Sequence, residues 1–237
     1  MTTPELIIFD CDGVLIDSEP IASRTLAVAL QGAGIAITPG ESHRIFTGNA
    51  ESDIRRICAE TYGLDEVDAV FSRWHASLYS EFAVSLKPMA GMVELVAGLS
   101  VPKCVASNST FARLEASLGR TSLWPLFAPH IFSAQAVPRP KPAPDLLLHC
   151  AKAFAVPPSH CIMVDDSPHG IASAGSAGMR AIGFVDENDP RPGRADLLAG
   201  AGAAQVAHGA VELAKILNSL VPESVAPAAG MEAVPHD

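Results

Sequence analysis

The sequence predicts an α/β protein with a mostly parallel sheet and a helical segment inserted near its start. Short unbroken apolar runs recur along the chain, and helix-period segments separate them. One long stretch, Ser18 to Leu86, shows helical patterning and no buried-strand run. Unbroken apolar runs are what strands buried on both faces look like, and their alternation with helices marks a parallel sheet.

The runs come in order. Leu6-Ile7-Ile8-Phe9 leads into Asp10, and Cys104-Val105-Ala106 leads into Ser107 and Asn108. Ile131-Phe132 precedes Ser133, Ile162-Met163-Val164 precedes Asp165 and Asp166, and Ala181-Ile182-Gly183-Phe184 is the fifth. Between them, Met92, Val93, Leu95, Val96 and Leu99 keep helical spacing, as do Phe111, Leu114 and Leu118. Pro144 opens a further helix at its first position, with Asp145 in the first turn.

Within Ser18 to Leu86, Ile21-Leu26-Ala29-Leu30 is one amphipathic stretch, ended by Gly32 and Gly34. Ile54-Ile57-Cys58-Tyr62 is a second, ended by Gly63, and Val67-Val70-Phe71-Trp74-Leu78 is a third. The expected organisation is a discontinuous α/β core over residues 1–17 and 87–220, with a helical insertion over 18–86. Val221 to Asp237, rich in Pro, Ala and Gly, is expected to be a flexible tail.

Composition narrows the function classes. The chain has 237 residues, enough for a core plus an insertion. Sixteen Lys and Arg against 26 Asp and Glu give −10, which argues against a nucleic-acid partner and against an acidic membrane. No apolar stretch is long enough to span a bilayer, and the first residues lack the basic flank of a signal peptide. The five cysteines are scattered without metal-ligand spacing, as suits buried thiols in a reducing cytoplasm. The expectation is a cytoplasmic monomer or homodimer.

Ligands of an open parallel sheet bind beyond the carboxyl ends of its strands. Here those ends carry Asp10 and Asp12, Ser107 and Asn108, and Asp165 and Asp166, with Lys141 in a loop. One aspartate after a strand is ordinary helix capping. Four carboxylates with one lysine sum to about −3, and each like-charged pair at ~4 Å costs on the order of 4 kcal/mol at an effective dielectric near 20. Such a cluster takes up protons or holds a cation, and for hard oxygen ligands Mg²⁺ is the natural choice. With Lys141 beside it, the pocket would suit a phosphoryl group.

These residues also carry a resemblance. Asp10-Cys11-Asp12-Gly13 with Asp17-Ser18, then Val105-Ala106-Ser107-Asn108, Lys141-Pro142-Ala143-Pro144 and Val164-Asp165-Asp166-Ser167 resemble, in order, the four motifs of the haloacid dehalogenase-like (HAD) hydrolase superfamily. The resemblance covers about Leu6 to Leu220 and is to the capped phosphatase branch, so it implies a Rossmann-like core with the insertion as a helical cap. It implies Asp10 as the nucleophile that forms an aspartyl-phosphate, and Asp12 as general acid and then general base. Ser107, Asn108 and Lys141 would bind the phosphoryl group. Asp10, Asp166, the Asp12 carbonyl and Asp165, directly or through water, would hold Mg²⁺. Cap residues Glu19, Arg24, Thr47, Gly48 and Asn49 are candidates for contacting the rest of the substrate.

The implied reaction is Mg²⁺-dependent hydrolysis of a small-molecule phosphomonoester. The implied substrate class is sugar or sugar-acid phosphates, with 6-phosphogluconate as one member. The alternative is a phosphosugar mutase of the β-phosphoglucomutase type. Mutases of that type place a histidine where Ala22 stands, and use a cap lysine, whereas Ser18 to Leu86 contains no lysine. Arg44, Arg55 or Arg56 remain as possible substitutes. A non-enzymatic phospho-receiver has its paired acids before the phosphorylated aspartate, the reverse of the order here.

Overall fold

The computed structural model describes residues 3–47, 49 and 51–221. The chain opens with β1 (Leu6–Phe9), then α1 (Glu19–Gln31), α2 (Pro39–Phe46), α3 (Glu51–Tyr62) and α4 (Val67–Ser85). It continues through α5 (Met92–Gly98), β2 (Lys103–Ser107), α6 (Phe111–Ala116), α7 (Trp124–Phe127) and β3 (Ile131–Ser133). Next come α8 (Asp145–Ala153), β4 (Cys161–Asp165), α9 (Pro168–Ala177) and β5 (Arg180–Val185). The last are α10 (Arg194–Gly200), β6 (Gln205–His208) and α11 (Gly209–Leu220).

All five predicted strands form, and β6 joins them in one parallel sheet of order β3-β2-β1-β4-β5-β6. Alternate residues of each strand face opposite layers. Ile7, Phe9, Val105, Ile162 and Val164 pack with Met92 and Val96 of α5, Phe127 of α7 and Leu213 and Leu217 of α11. Leu6, Ile8, Cys104, Ala106 and Met163 pack with Leu146 and Leu147 of α8 and with Ile171 and Ala174 of α9. Both faces are therefore covered, which is why the strands read as unbroken apolar runs.

The register sets the site. Phe9 lies opposite Val105 on one side and Val164 on the other. Asp10, Ser107 and Asp165 thus reach the same rim of the sheet within about one residue of each other.

Helices α1 to α4 enclose a separate apolar cluster that includes Leu26, Leu30, Phe71, Trp74, Leu78 and Phe82. Trp74 buries its indole there and donates from Nε1 to Thr25 Oγ1 at 3.0 Å, while Phe71 meets its ring edge-on at 5.4 Å. The chain enters and leaves these helices side by side: Asp17 N donates to Lys87 O, and Met89 N donates to Leu15 O.

Some elements differ from expectation. The helix α2 carries a capping box: Thr38 Oγ1 accepts from Glu41 N, and the Glu41 carboxylate accepts from Thr38 N. Its amphipathic span is only two turns, too short for periodicity to reveal. Pro144 is the N-cap of α8 rather than its first helical residue. β6 is half-exposed along its length and so lacks an unbroken apolar run. Of the expected tail, residues 222–237 lie outside the described residues.

Candidate active site

The loop after β1 turns tightly. Leu15 N and Ile16 N both donate to Cys11 O, and Gly13 N donates to Ile16 O. Gly13 has φ +75°, and a Cβ there would stand 2.7 Å from Asp166 Oδ2. Glycine is required both for the left-handed backbone and for the approach of Asp166.

Lys141 is the centre of charge. Its side chain is 3% exposed, and Nζ lies 2.9 Å from Asp10 Oδ1 and 2.7 Å from Asp165 Oδ2. Burial alone would lower its pKa, but Asp10 and Asp165 together raise it well above the ordinary lysine value. The peptide of Lys141 is held by Asn108, whose Oδ1 accepts from Lys141 N and whose Nδ2 donates to Lys141 O. Ser107 is buried, and its Oγ accepts from Ser109 N at 3.1 Å.

The carboxylates play unequal parts. Asp165 is fully buried, and its other oxygen, Oδ1, accepts from Ser167 N and Ser167 Oγ. Gly170 leaves room for it, since a Cβ at that position would collide with the Asp165 carboxylate. Burial raises the Asp10 pKa to about 7; Lys141 opposes this and Asp165 adds to it. Asp166 is pushed well above the ordinary value by burial and by the negative charges of Glu19, Asp165 and Asp10. Arg194 donates to the main-chain carbonyl of Asp166 and lies 3.7 Å from its Oδ2.

Asp10, Asp165 and Asp166 each offer an oxygen within 4.8 Å of the others. This grouping fits a hard divalent cation: three carboxylates converge, and two of them are driven toward protonation when no cation neutralises them. Asp12 directs its carboxylate elsewhere. It accepts from Ser18 Oγ at 2.6 Å and Ser109 Oγ at 2.9 Å, and pairs with Arg113 at 3.4 Å. Burial favours its proton, yet Arg113 and these hydroxyls outweigh that and leave its pKa below the ordinary value.

The expected cap residues separate. Glu19, the first residue of α1, pairs with Arg191 at 3.1 Å, and burial raises it to about 7. Thr47 Oγ1 lies 3.2 Å from His43 Nδ1. Arg24 is not brought to the cluster: half-exposed, it pairs with Glu81 at 2.8 Å. Asn49 donates to Ile45 O on an exposed surface, and Gly48 lies outside the described residues. Sequence reasoning did not find Arg113, Arg191 or Arg194. Arginines on helices or polar loops carry no motif, and only the folded chain shows which carboxylates they meet.

Paired carboxylates and a buried lysine at the rim of a doubly covered parallel sheet define an α/β hydrolase built to handle a phosphoryl group. The chain belongs to the haloacid dehalogenase-like hydrolase family, whose model matches residues 4–178. It is similar to the 6-phosphogluconate phosphatase of Escherichia coli (strain K12), with 33% identity over 196 residues covering 81% of this chain and 87% of that protein. Among solved structures, a conserved haloacid dehalogenase-like protein of unknown function from Agrobacterium tumefaciens superposes with a TM-score of 0.82 at 36% identity. That match covers 91% of this chain and 98% of the other. A HAD family hydrolase from Deinococcus radiodurans, with bound phosphate and sodium, gives a TM-score of 0.79 at 28% identity, covering 93% and 97%. Among the described residues no helix is long and apolar enough to cross a membrane.

Proposed function

We propose that this chain hydrolyses small sugar or sugar-acid phosphates, 6-phosphogluconate among them, through an aspartyl-phosphate on Asp10. The observation that carries this reading is the contact of Lys141 with both Asp10 and Asp165. A fully buried ammonium beside the nucleophile neutralises charge where an anionic phosphoryl group must approach an anionic carboxylate.

Asp10 attacks phosphorus, and the bond to the leaving oxygen breaks as Asp12 gives that oxygen a proton. Asp12 then takes a proton from water, the water oxygen bonds to phosphorus, and the bond to Asp10 breaks. The arrangement described above holds Asp12 ionised, the form the second step needs. Protonation for the first step requires release from Ser18, Ser109 and Arg113. Ser18 opens the insertion, so movement of the 18–86 cap against the 1–17 and 87–220 core would remove one of these bonds. Lys141 binds the phosphoryl oxygens, and Ser107 offers its hydroxyl to them. Asn108 and Asp165 fix the position of Lys141.

Asp10, Asp166 and the Asp12 carbonyl would hold Mg²⁺, with Asp165 contributing directly or through water. When bound, the ion supplies positive charge that offsets the carboxylates and the phosphoryl group. Hydrolysis rather than mutase chemistry is supported by the lack of lysine from Ser18 to Leu86 and by Ala22 standing where such mutases place a histidine. Of the arginines that could substitute, Arg55 pairs with Glu51 and Asp68 and Arg56 with Asp53 and Glu60, while Arg44 is exposed. The five buried, free cysteines suit a cytoplasmic enzyme.

The test is phosphate release from a panel of sugar and sugar-acid phosphates, with Mg²⁺ and again with chelator. Mg²⁺-dependent release is expected. Isomerisation of a hexose 1-phosphate without release would overturn the reading.

A further inference from the structure

Three polar residues of the helical segment converge between α1 and the end of α2. Ser23 Oγ of α1 lies 3.1 Å from His43 Nδ1 of α2 and 3.3 Å from Thr47 Oγ1, and Thr47 Oγ1 lies 3.2 Å from the same nitrogen. Hydroxyls on helices commonly bond back to a carbonyl of the preceding turn, as Thr25 does with Ile21 O. Ser23 and Thr47 instead engage one nitrogen of an imidazole and fix its orientation.

The other nitrogen is left over. His43 Nε2 is buried and has no hydrogen-bond partner among the described residues. His43 lines a cavity whose other walls include Asp166 and Gly13 at the catalytic rim, Glu19 at the start of α1, and Asn188 and Arg191 of the loop after β5. The cavity therefore runs from the carboxylate cluster to the helical segment. Buried polar atoms are rarely left unpaired in a fold, and an unpaired one on a residue that lines a cavity beside an active site invites a ligand atom.

The geometry points to His43, braced by Ser23 and Thr47, as the residue that reads a hydroxyl group on the leaving portion of the substrate. The chemistry of the walls selects a hydroxyl. Burial and the nearby Arg191 hold His43 below the ordinary histidine pKa, so the ring is neutral and exchanges a hydrogen bond with a neutral group. The two cations near His43 are committed, Arg191 to Asp189 and Glu19 and Arg194 to Asp166 and Asp189. A polyhydroxylated carbon chain, as in a sugar, polyol or sugar-acid phosphate, supplies the matching group, whereas an aryl or simple alkyl phosphate does not. The inference rests on the phosphatase reading above and narrows its substrate class.

The test compares kcat/KM for 6-phosphogluconate, glucitol 6-phosphate and p-nitrophenyl phosphate, the last of which has no hydroxyl on its leaving group. In His43→Ala the ratio of the better hydroxylated substrate to p-nitrophenyl phosphate is expected to fall about 10-fold, the worth of one buried hydrogen bond. His43→Gln, which sets an amide near the lost Nε2, should recover part of that ratio. Ser23→Ala, which removes a brace but keeps the ring, should lower it by a smaller factor. An unchanged ratio in His43→Ala, or no recovery in His43→Gln, would overturn the inference and leave the phosphatase reading standing. No phosphate release from any of the three by the unmutated protein would overturn both.

Discussion

Asn108 grips the peptide unit of Lys141 from both sides. Its Oδ1 accepts from Lys141 N at 3.0 Å, and its Nδ2 donates to Lys141 O at 2.9 Å. The two residues are 33 apart in sequence, and this clamp fixes the loop that delivers the ammonium to Asp10. Asn108→Ala should therefore act through Lys141. The expected loss is about 10²-fold in kcat, the scale of a 1 Å misplacement of a catalytic group, with little change in KM. Steady-state kinetics on p-nitrophenyl phosphate checks it.

Asp10→Asn keeps the shape of the residue and removes the proposed nucleophile. Turnover should fall by more than about 10³-fold, while the far-ultraviolet circular dichroism spectrum stays that of the unmutated protein. Full activity in this variant would sink the mechanism.

Gly13→Ala meets two penalties at once. Its left-handed φ costs an L-residue about 1–2 kcal/mol, and the new methyl would displace the Asp166 carboxylate. The variant should melt at a lower temperature and bind Mg²⁺ more weakly, the latter measured by titration calorimetry.

Stability should depend on pH in an unusual direction when no metal is present. Asp10 and Glu19 ordinarily titrate at 3.8 and 4.5, and burial raises both to about 7 in the fold. A carboxyl raised in this way adds stability that is complete below its unfolded pKa and is lost as pH climbs through its folded pKa. With chelator, the melting temperature should fall by several degrees between pH 5 and pH 8, given ~2–4 °C per kcal/mol for a chain of this size. Added Mg²⁺ should flatten that slope. Scanning calorimetry at both pH values, with and without the ion, decides it.

Much of this architecture is legible in the amino-acid order. β1, β2, β3, β4 and β5 announce themselves because burial on both faces leaves no polar residue inside them. Asp10, Ser107, Asp165 and Asp166 stand out because charge or hydroxyl follows an apolar run at once, whereas Asp12 and Lys141 stand out through the motifs they belong to. β6 escaped because a half-exposed edge strand tolerates Gln205 and His208. The distinction between Asp165 as an anchor for Lys141 and Asp166 as a carboxylate facing Arg194 was not legible either. It depends on which neighbour reaches each side chain, and adjacent residues of one type look alike in a string. Arg24 looked like a site residue beside Ser23, yet only Ser23 turns inward, since neighbours on a helix lie about 100° apart.

The sheet order places β1 between β2 and β4. On the ribosome, the first strand therefore emerges with both edges bare. Its partner β4 ends at Asp165, about 150 residues later, which at ~5–20 residues per second is roughly 8–30 s of synthesis. Meanwhile α1 to α4 leave the exit tunnel with an apolar cluster of their own, and can collapse before the sheet closes. The nascent chain should pass through a stage in which α1 to α4 are folded and the strand that leads into Asp10 still waits for its neighbours. That interval is when a holding chaperone would matter most to this protein.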